Sequence, residues 1–179
     1  MLIPSNEENL KYINRKDYVP FDYEIPLIKL DFNLQEDKVE IISELYVTKK
    51  NQTSCYLELK GKDIKLITIY LDDYLLDKES YKLTSESLLI NTYHKNKFKL
   101  RMRAFITPKK NTSLIGMYES NNIITTQCEA EGFRRICFHP DRPDLLSKYL
   151  VRIEADKNIY PVLLSNGNFI KKSNIEENR

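Results

Sequence analysis

The sequence predicts an all-β protein, a sandwich or saddle assembled from many short strands. Three observations carry that expectation. Two long runs near the amino terminus alternate apolar and polar residues with a period of two. Later segments are rich in Ile, Leu, Tyr and Thr, side chains that suit a pleated surface. No segment keeps apolar residues at helical spacing over three turns.

Taken in order, residues 1–15 carry Pro4, Glu7 and Glu8 and no long apolar run, so a flexible amino terminus is expected there. In the first alternating run, Ile28, Leu30, Phe32 and Leu34 face the core, and Lys29, Asp31, Asn33 and Gln35 face water. A polar turn over 35–38 leads to a second run with Val39, Ile41, Leu45 and Val47 on one face, which makes a hairpin. Further strands are expected at 55–59, 64–71, 87–92, 98–106, 123–128, 149–155 and 162–165. The sequence allows helical turns only near 133–138 and, after Pro143, near 143–147. Residues 16–170 are read as one β-rich domain, and 171–179 as a polar tail that leaves it.

The 179 residues carry 28 basic and 26 acidic side chains, a formal charge of +2, too small to point to nucleic acid or an anionic membrane as partner. The first residues resemble neither a secretory signal nor an anchor, which leads to the expectation of a cytoplasmic protein. Cys55, Cys128 and Cys137 are odd in number and lack paired spacing, in keeping with a reducing compartment. Two sequons, at Asn51 and Asn111, are read as ordinary polar turns.

Several chemistries are excluded or disfavoured by residue type. A hydrolytic zinc site needs His or carboxylate ligands, and H-E-x-x-H does not occur; the histidines, His94 and His139, stand far apart without a close second histidine. His139-Pro140-Asp141 matches the tripeptide of chaperone J domains, but that tripeptide sits between helices and the flanks here read as strand and turn. Only four glycines are present, so no Gly-rich loop cradles phosphate. Lys97, Lys99, Arg101 and Arg103 share one face of a strand, either a phosphate-binding stripe or, the favoured reading, a solvated sheet face.

The densest polar cluster comprises Gln127, Glu129, Glu131, Arg134, Arg135 and Asp141, followed by Arg142 and Asp144. If 123–129 is a strand, Gln127, Glu129 and Glu131 project from one face and could converge on one ligand. Glu129 then has two readings: a carboxylate that binds a substrate ammonium, or an internal ion pair with Arg134 or Arg135.

The segment 126–146, TQCEAEGFRRICFHPDRPDLL, resembles the signature near the end of the amino-terminal domain of bacterial-type aminopeptidase N, a family of zinc aminopeptidases. NTSLIGMY at 111–118, ADK at 155–157 and YPVLLSNGN at 160–168 match the same family in the same order. The resemblance is strong over 111–168 and rests mainly on strand pattern upstream of 106. It implies a saddle-like β-sandwich that caps a zinc catalytic domain; that domain's motifs do not occur in this chain. It also implies that Glu129 anchors the substrate's amino terminus, that Gln127 lines the substrate beside it, and that this chain holds neither the zinc nor a catalytic residue. Arg134, Asp141, Arg142 and Asp144 also match and are read as ion pairs and turn formers that position 127–129. Cys128, pointing to the opposite face of the strand, is read as packing rather than as a catalytic thiol.

The expectation is therefore a domain of a zinc metallo-aminopeptidase that releases amino-terminal residues from peptides. Its partners would be a peptide with a free amino terminus and the catalytic domain of the same polypeptide, and the chain alone would be inactive. The alternatives are a non-catalytic β scaffold and a β-sandwich that binds peptide by strand addition at its edge.

Overall fold

The computed structural model describes residues 14–92 and 94–175. The expected flexible amino terminus and the end of the polar tail therefore lie largely outside the described residues. Among the described residues, alternating patterns and polar turns fold into eleven strands: β1 (Tyr23–Leu34), β2 (Val39–Lys49), β3 (Tyr56–Lys60), β4 (Lys65–Leu71), β5 (Tyr74–Leu75), β6 (Tyr81–Leu83), β7 (Ser87–Asn91), β8 (Lys97–Ile106), β9 (Gly116–Ser120), β10 (Ile123–Gln127) and β11 (Lys148–Ala155). Helical structure among the described residues is confined to short 3-10 turns at Arg15–Asp17, Pro108–Lys110 and Phe133–Arg135.

Six strands form the main sheet in the order β11-β1-β2-β8-β4-β5, antiparallel except that β11 runs parallel to β1. The β1–β2 hairpin has the expected register, Leu34 opposite Val39, and Gln35 N–H donates to Lys38 O at 3.0 Å across the turn. A three-stranded sheet, β3-β7-β6, and the β9–β10 hairpin complete the fold. The all-β architecture of several sheets is the one the sequence implied.

One apolar cluster joins the two larger sheets. Ile28, Leu30, Ile41, Leu45, Leu100 and Met102 come from the six-stranded sheet, and Leu57, Leu59, Leu88 and Ile90 from the three-stranded one. Each is an alternate residue of its strand, so the period of two places every second side chain in the core. Polar ties cross the same space: Tyr23 Oη and Thr92 Oγ1 share a 2.7 Å hydrogen bond, and the buried Lys49 donates its Nζ to Thr92 O at 3.0 Å. Burying that ammonium is tolerable because it is hydrogen bonded.

On the outer face of the six-stranded sheet, the basic stripe of β8 is already occupied. Arg103 pairs with Glu40, Lys99 with Asp73 at 2.8 Å, and the Arg101 guanidinium lies 4.7 Å from the Tyr70 ring centre. Lys99 and Arg103 are thus ion-paired and Arg101 lies over a ring, in keeping with the solvated sheet face favoured from the sequence.

Both sequons are Asx turns. Asn51 Oδ1 accepts from Thr53 N–H and hydroxyl, and Asn111 Oδ1 accepts from Ser113 N–H and hydroxyl. Cys55, Cys128 and Cys137 are all free thiols.

The strand expected at 162–165 does not form. Val162 is 71% and Leu164 86% exposed, and no neighbouring strand supplies a ladder for their backbone. The turn near Phe133 is the 3-10 turn Phe133–Arg135, and that near 143–147 is a single turn in which Leu145 N–H donates to Arg142 O at 3.4 Å. Strands β5, β6 and β9 were not anticipated.

Candidate functional site

The polar cluster is built on the β9–β10 hairpin. Two asparagines, Asn121 and Asn122, supply the positive φ angles (51° and 61°) of its two-residue turn, the conformation that matches strand twist. Gln127, the last residue of β10, pairs with Gly116 at the start of β9. Asn111 holds the hairpin's base, donating its side-chain amide to Ile115 O at 2.8 Å and Met117 O at 2.9 Å.

Beyond Gln127 the chain leaves the strand. Gly132 N–H donates to Cys128 O at 2.8 Å and closes a tight turn that contains a cis peptide between Glu129 and Ala130. The turn presses Gly132 so closely onto the preceding backbone that a Cβ there would stand 2.7 Å from Cys128 Cα and 2.9 Å from Gln127 O. The expectation that Gln127, Glu129 and Glu131 share a strand face is thus corrected. Strand geometry stops at Gln127, and Glu129 and Glu131 belong to the turn. Gln127 and Glu129 nevertheless stay together at the surface, with Gln127 Nε2 3.5 Å from Glu129 O.

The arginines of the cluster are committed elsewhere. Arg134 pairs with Asp141 at 2.6 Å and with Glu131 at 3.2 Å, and its own N–H donates to Asp141 Oδ2 at 3.2 Å. Arg135 pairs with Asp63, which arrives from the loop between β3 and β4. Glu129, by contrast, has no ion-pair partner among the described residues, so the internal pair with Arg134 or Arg135 weighed from the sequence does not form. Arg142 and Asp144 make a bidentate pair at 2.8 and 2.7 Å, and Tyr18 donates its hydroxyl to Asp144 at 2.8 Å. The Arg142 guanidinium, through these hydrogen bonds, holds the Asp144 carboxyl well below the usual carboxylate range. These pairs tie the amino-terminal approach to the 141–144 turn, a structural task.

Behind the turn lies a buried histidine, His139, that no sequence pattern announced. His139 accepts Asp141 N–H on Nδ1 at 2.8 Å, and its Nε2 lies 3.0 Å from Tyr149 Oη on β11. A ring whose Nδ1 accepts must carry its proton on Nε2, which therefore donates to the tyrosine. Burial lowers the His139 pKa to about 4 and raises that of Tyr149 to about 12. Cys128 is half-buried against the core, and desolvation raises its thiol pKa, the opposite of what a thiolate nucleophile requires.

Among the described residues no group of three or more His, Cys, Asp or Glu side chains could hold a metal ion. Both His139 nitrogens are used within the fold, so that histidine is not available as a metal ligand. No helix among the described residues is long and apolar enough to cross a membrane. Gln127 and Glu129 line neither of the two clefts that flank the Asp63–Arg135 pair and stand instead on an open surface.

Comparisons with known proteins bear on this arrangement. The model of the peptidase M1 N-terminal domain matches residues 19–179. Aminopeptidase N of Escherichia coli (strain K12) is 36% identical over 167 residues, 92% of this chain and 19% of that protein. Aminopeptidase N of Caulobacter vibrioides is 39% identical over 167 residues, again 19% of its length. The chain thus spans about a fifth of these relatives. The crystal structure of Legionella pneumophila aminopeptidase A in complex with aspartic acid superposes with a TM-score of 0.84 at 34% identity, covering 91% of this chain and 19% of that one. An M1 zinc metallopeptidase from Deinococcus radiodurans, at 13% identity and a TM-score of 0.65 over 75% of this chain and 33% of that one, shares the fold.

Proposed function

Because the chain belongs to the peptidase M1 N-terminal domain family, we propose that it is the amino-terminal β domain of a zinc-dependent aminopeptidase, in which Glu129, with Gln127 beside it, holds the free α-ammonium group of a peptide substrate. The observation that carries this reading is the unanswered carboxylate of Glu129. Its turn is braced by the Arg134–Asp141 and Arg134–Glu131 pairs, both nearby arginines are spent, and the exposed Glu129 has no ion-pair partner among the described residues. An anion held on a fixed turn suits a ligand ammonium, whose three N–H groups can donate to Glu129 and to the Gln127 side-chain oxygen.

The zinc and the water it activates belong to a catalytic domain of the same polypeptide. This chain's part is geometric: fixing the amino terminus at one distance from the scissile bond makes the enzyme an exopeptidase and converts binding energy into orientation. By itself the chain releases no amino acids from peptides.

In the full-length enzyme, Glu129→Ala is expected to weaken recognition of free-amine peptides by about 2–5 kcal/mol, read in kcat/KM, because it removes one partner of a charge pair that the catalytic domain and the bound peptide would desolvate. Gln127→Ala loses less, of the order of 1 kcal/mol for a neutral hydrogen bond. Unaltered kcat/KM towards free-amine peptides in the Glu129 variant would overturn the assignment.

A further inference from the structure

A cleft of about 740 Å3 opens where the β1–β2 turn, the start of β4, the end of β8 and the 3-10 turn at Phe133–Arg135 meet. Phe105, Ile106 and Met117 give it apolar walls, and Lys38, Lys65, Lys110 and Arg135 supply four positive charges. The single carboxylate in its lining, Asp63, is taken by Arg135.

Lys38, Lys65 and Lys110 have no carboxylate partner among the described residues. Lys38 Nζ instead rests 4.1 Å from the Phe105 ring centre, and Lys65 stands opposite Phe105 in the ladder. This sets them apart from Lys60, Lys62, Lys95 and Lys99, each of which meets an Asp or Glu within 3 Å. Three like charges drawn to one concavity repel one another, a cost that an anionic occupant reverses.

The lining also indicates what kind of anion fits. The three lysines are carried by separate elements, the β1–β2 turn, β4 and the Pro108–Lys110 turn, an arrangement that suits several spaced carboxylates better than one compact phosphate. The volume falls within the usual range for a peptide-sized or drug-sized ligand, and the apolar walls suit its aliphatic stems. We propose that this cleft binds an acidic peptide segment through Lys38, Lys65 and Lys110. The inference does not depend on the amine-anchor reading of Glu129.

The test uses a tetraglutamate peptide blocked at both ends, so that it has no amino group for Glu129, titrated into the 179-residue chain and followed by backbone amide shifts. Saturable shifts centred on Lys38, Lys65 and Phe105 are expected, with affinity falling as salt rises. Replacing all three lysines by Gln should weaken binding about tenfold. Lys78→Gln, on an exposed loop outside the cleft, should leave it unchanged. Absence of saturation, equal binding by the triple variant, or equal binding of a blocked tetralysine would overturn the proposal. If inorganic phosphate saturates the same amides and the peptide does not, the assignment to an acidic peptide is wrong.

Discussion

Gly132 carries a large share of the candidate site's geometry. A Cβ at this position would meet two backbone atoms of the preceding turn, at 2.7 and 2.9 Å, and backbone cannot swing aside as a flexible side-chain end can. Gly132→Ala is expected to destabilise the chain by about 1–3 kcal/mol, measured by denaturant unfolding, and to displace Glu129 with the turn. His139 makes a pH prediction. Its folded pKa of about 4 lies below the ordinary value of 6.5, so unfolding takes up a proton between these values. Its stabilising contribution is complete above about pH 6.5 and is lost as pH falls towards 4, a change of the order of 3 kcal/mol. Tyr149 Oη and Asp141, which face the ring, stay in place in His139→Asn, where an Asx oxygen can still accept Asp141 N–H without titrating. Stability of that variant, followed by thermal melts, should fall less steeply over the same pH window. That Gln127 and Glu129 lie together at the surface was legible in the sequence; the backbone that brings them together was not. Extending β10 by the period of two gave the wrong local shape because the turn is set by Gly132 packing and by Arg134, which pairs with both Glu131 and Asp141.

At the scale of elements, legibility followed burial. β1, β2 and β8 are long, and one face of each is core, so the alternation of apolar and polar residues is written into them. β5 and β6 have two and three residues, and β9 is partly exposed, leaving too few periods to recognise. The expected strand at 162–165 failed for the complementary reason, since apolar composition alone supplies no hydrogen-bonding neighbour. Turn chemistry was the overlooked signal. Asn121-Asn122 and Asp72-Asp73 each place two adjacent residues at positive φ between paired strands, the two-residue hairpin geometry for which short polar side chains are suited. Asn122→Gly should therefore leave stability unchanged or raise it by a few tenths of a kcal/mol. Asn122→Val, a β-branched side chain forced to positive φ, should lower it by about 1–2 kcal/mol, and the denaturant midpoints of the two variants decide the matter.

Across the whole molecule, apolar surface is unevenly distributed. β11 closes one flank of the six-stranded sheet and exposes Leu150 and Val151 along a free edge. Beyond it, Ile159, Val162, Leu164, Phe169 and Ile170 are exposed in a segment without strand structure. An uncovered, apolar edge strand templates association, so the chain should self-associate as concentration rises. Val151→Lys should shift sedimentation towards monomer without altering the near-ultraviolet spectrum of the core. The edge has a second aspect, concerned with the order of events during synthesis. β11 pairs parallel to β1, and Ser147 Oγ donates to Ile25 O across 122 residues of sequence. The β1–β2 hairpin can form soon after it leaves the ribosome, but its outer flank stays bare until the last strand emerges. At roughly 5–20 residues per second, that wait lasts on the order of ten seconds. The contact joining β1 to β11 thus forms late, and until then the nascent chain most needs chaperone cover along β1.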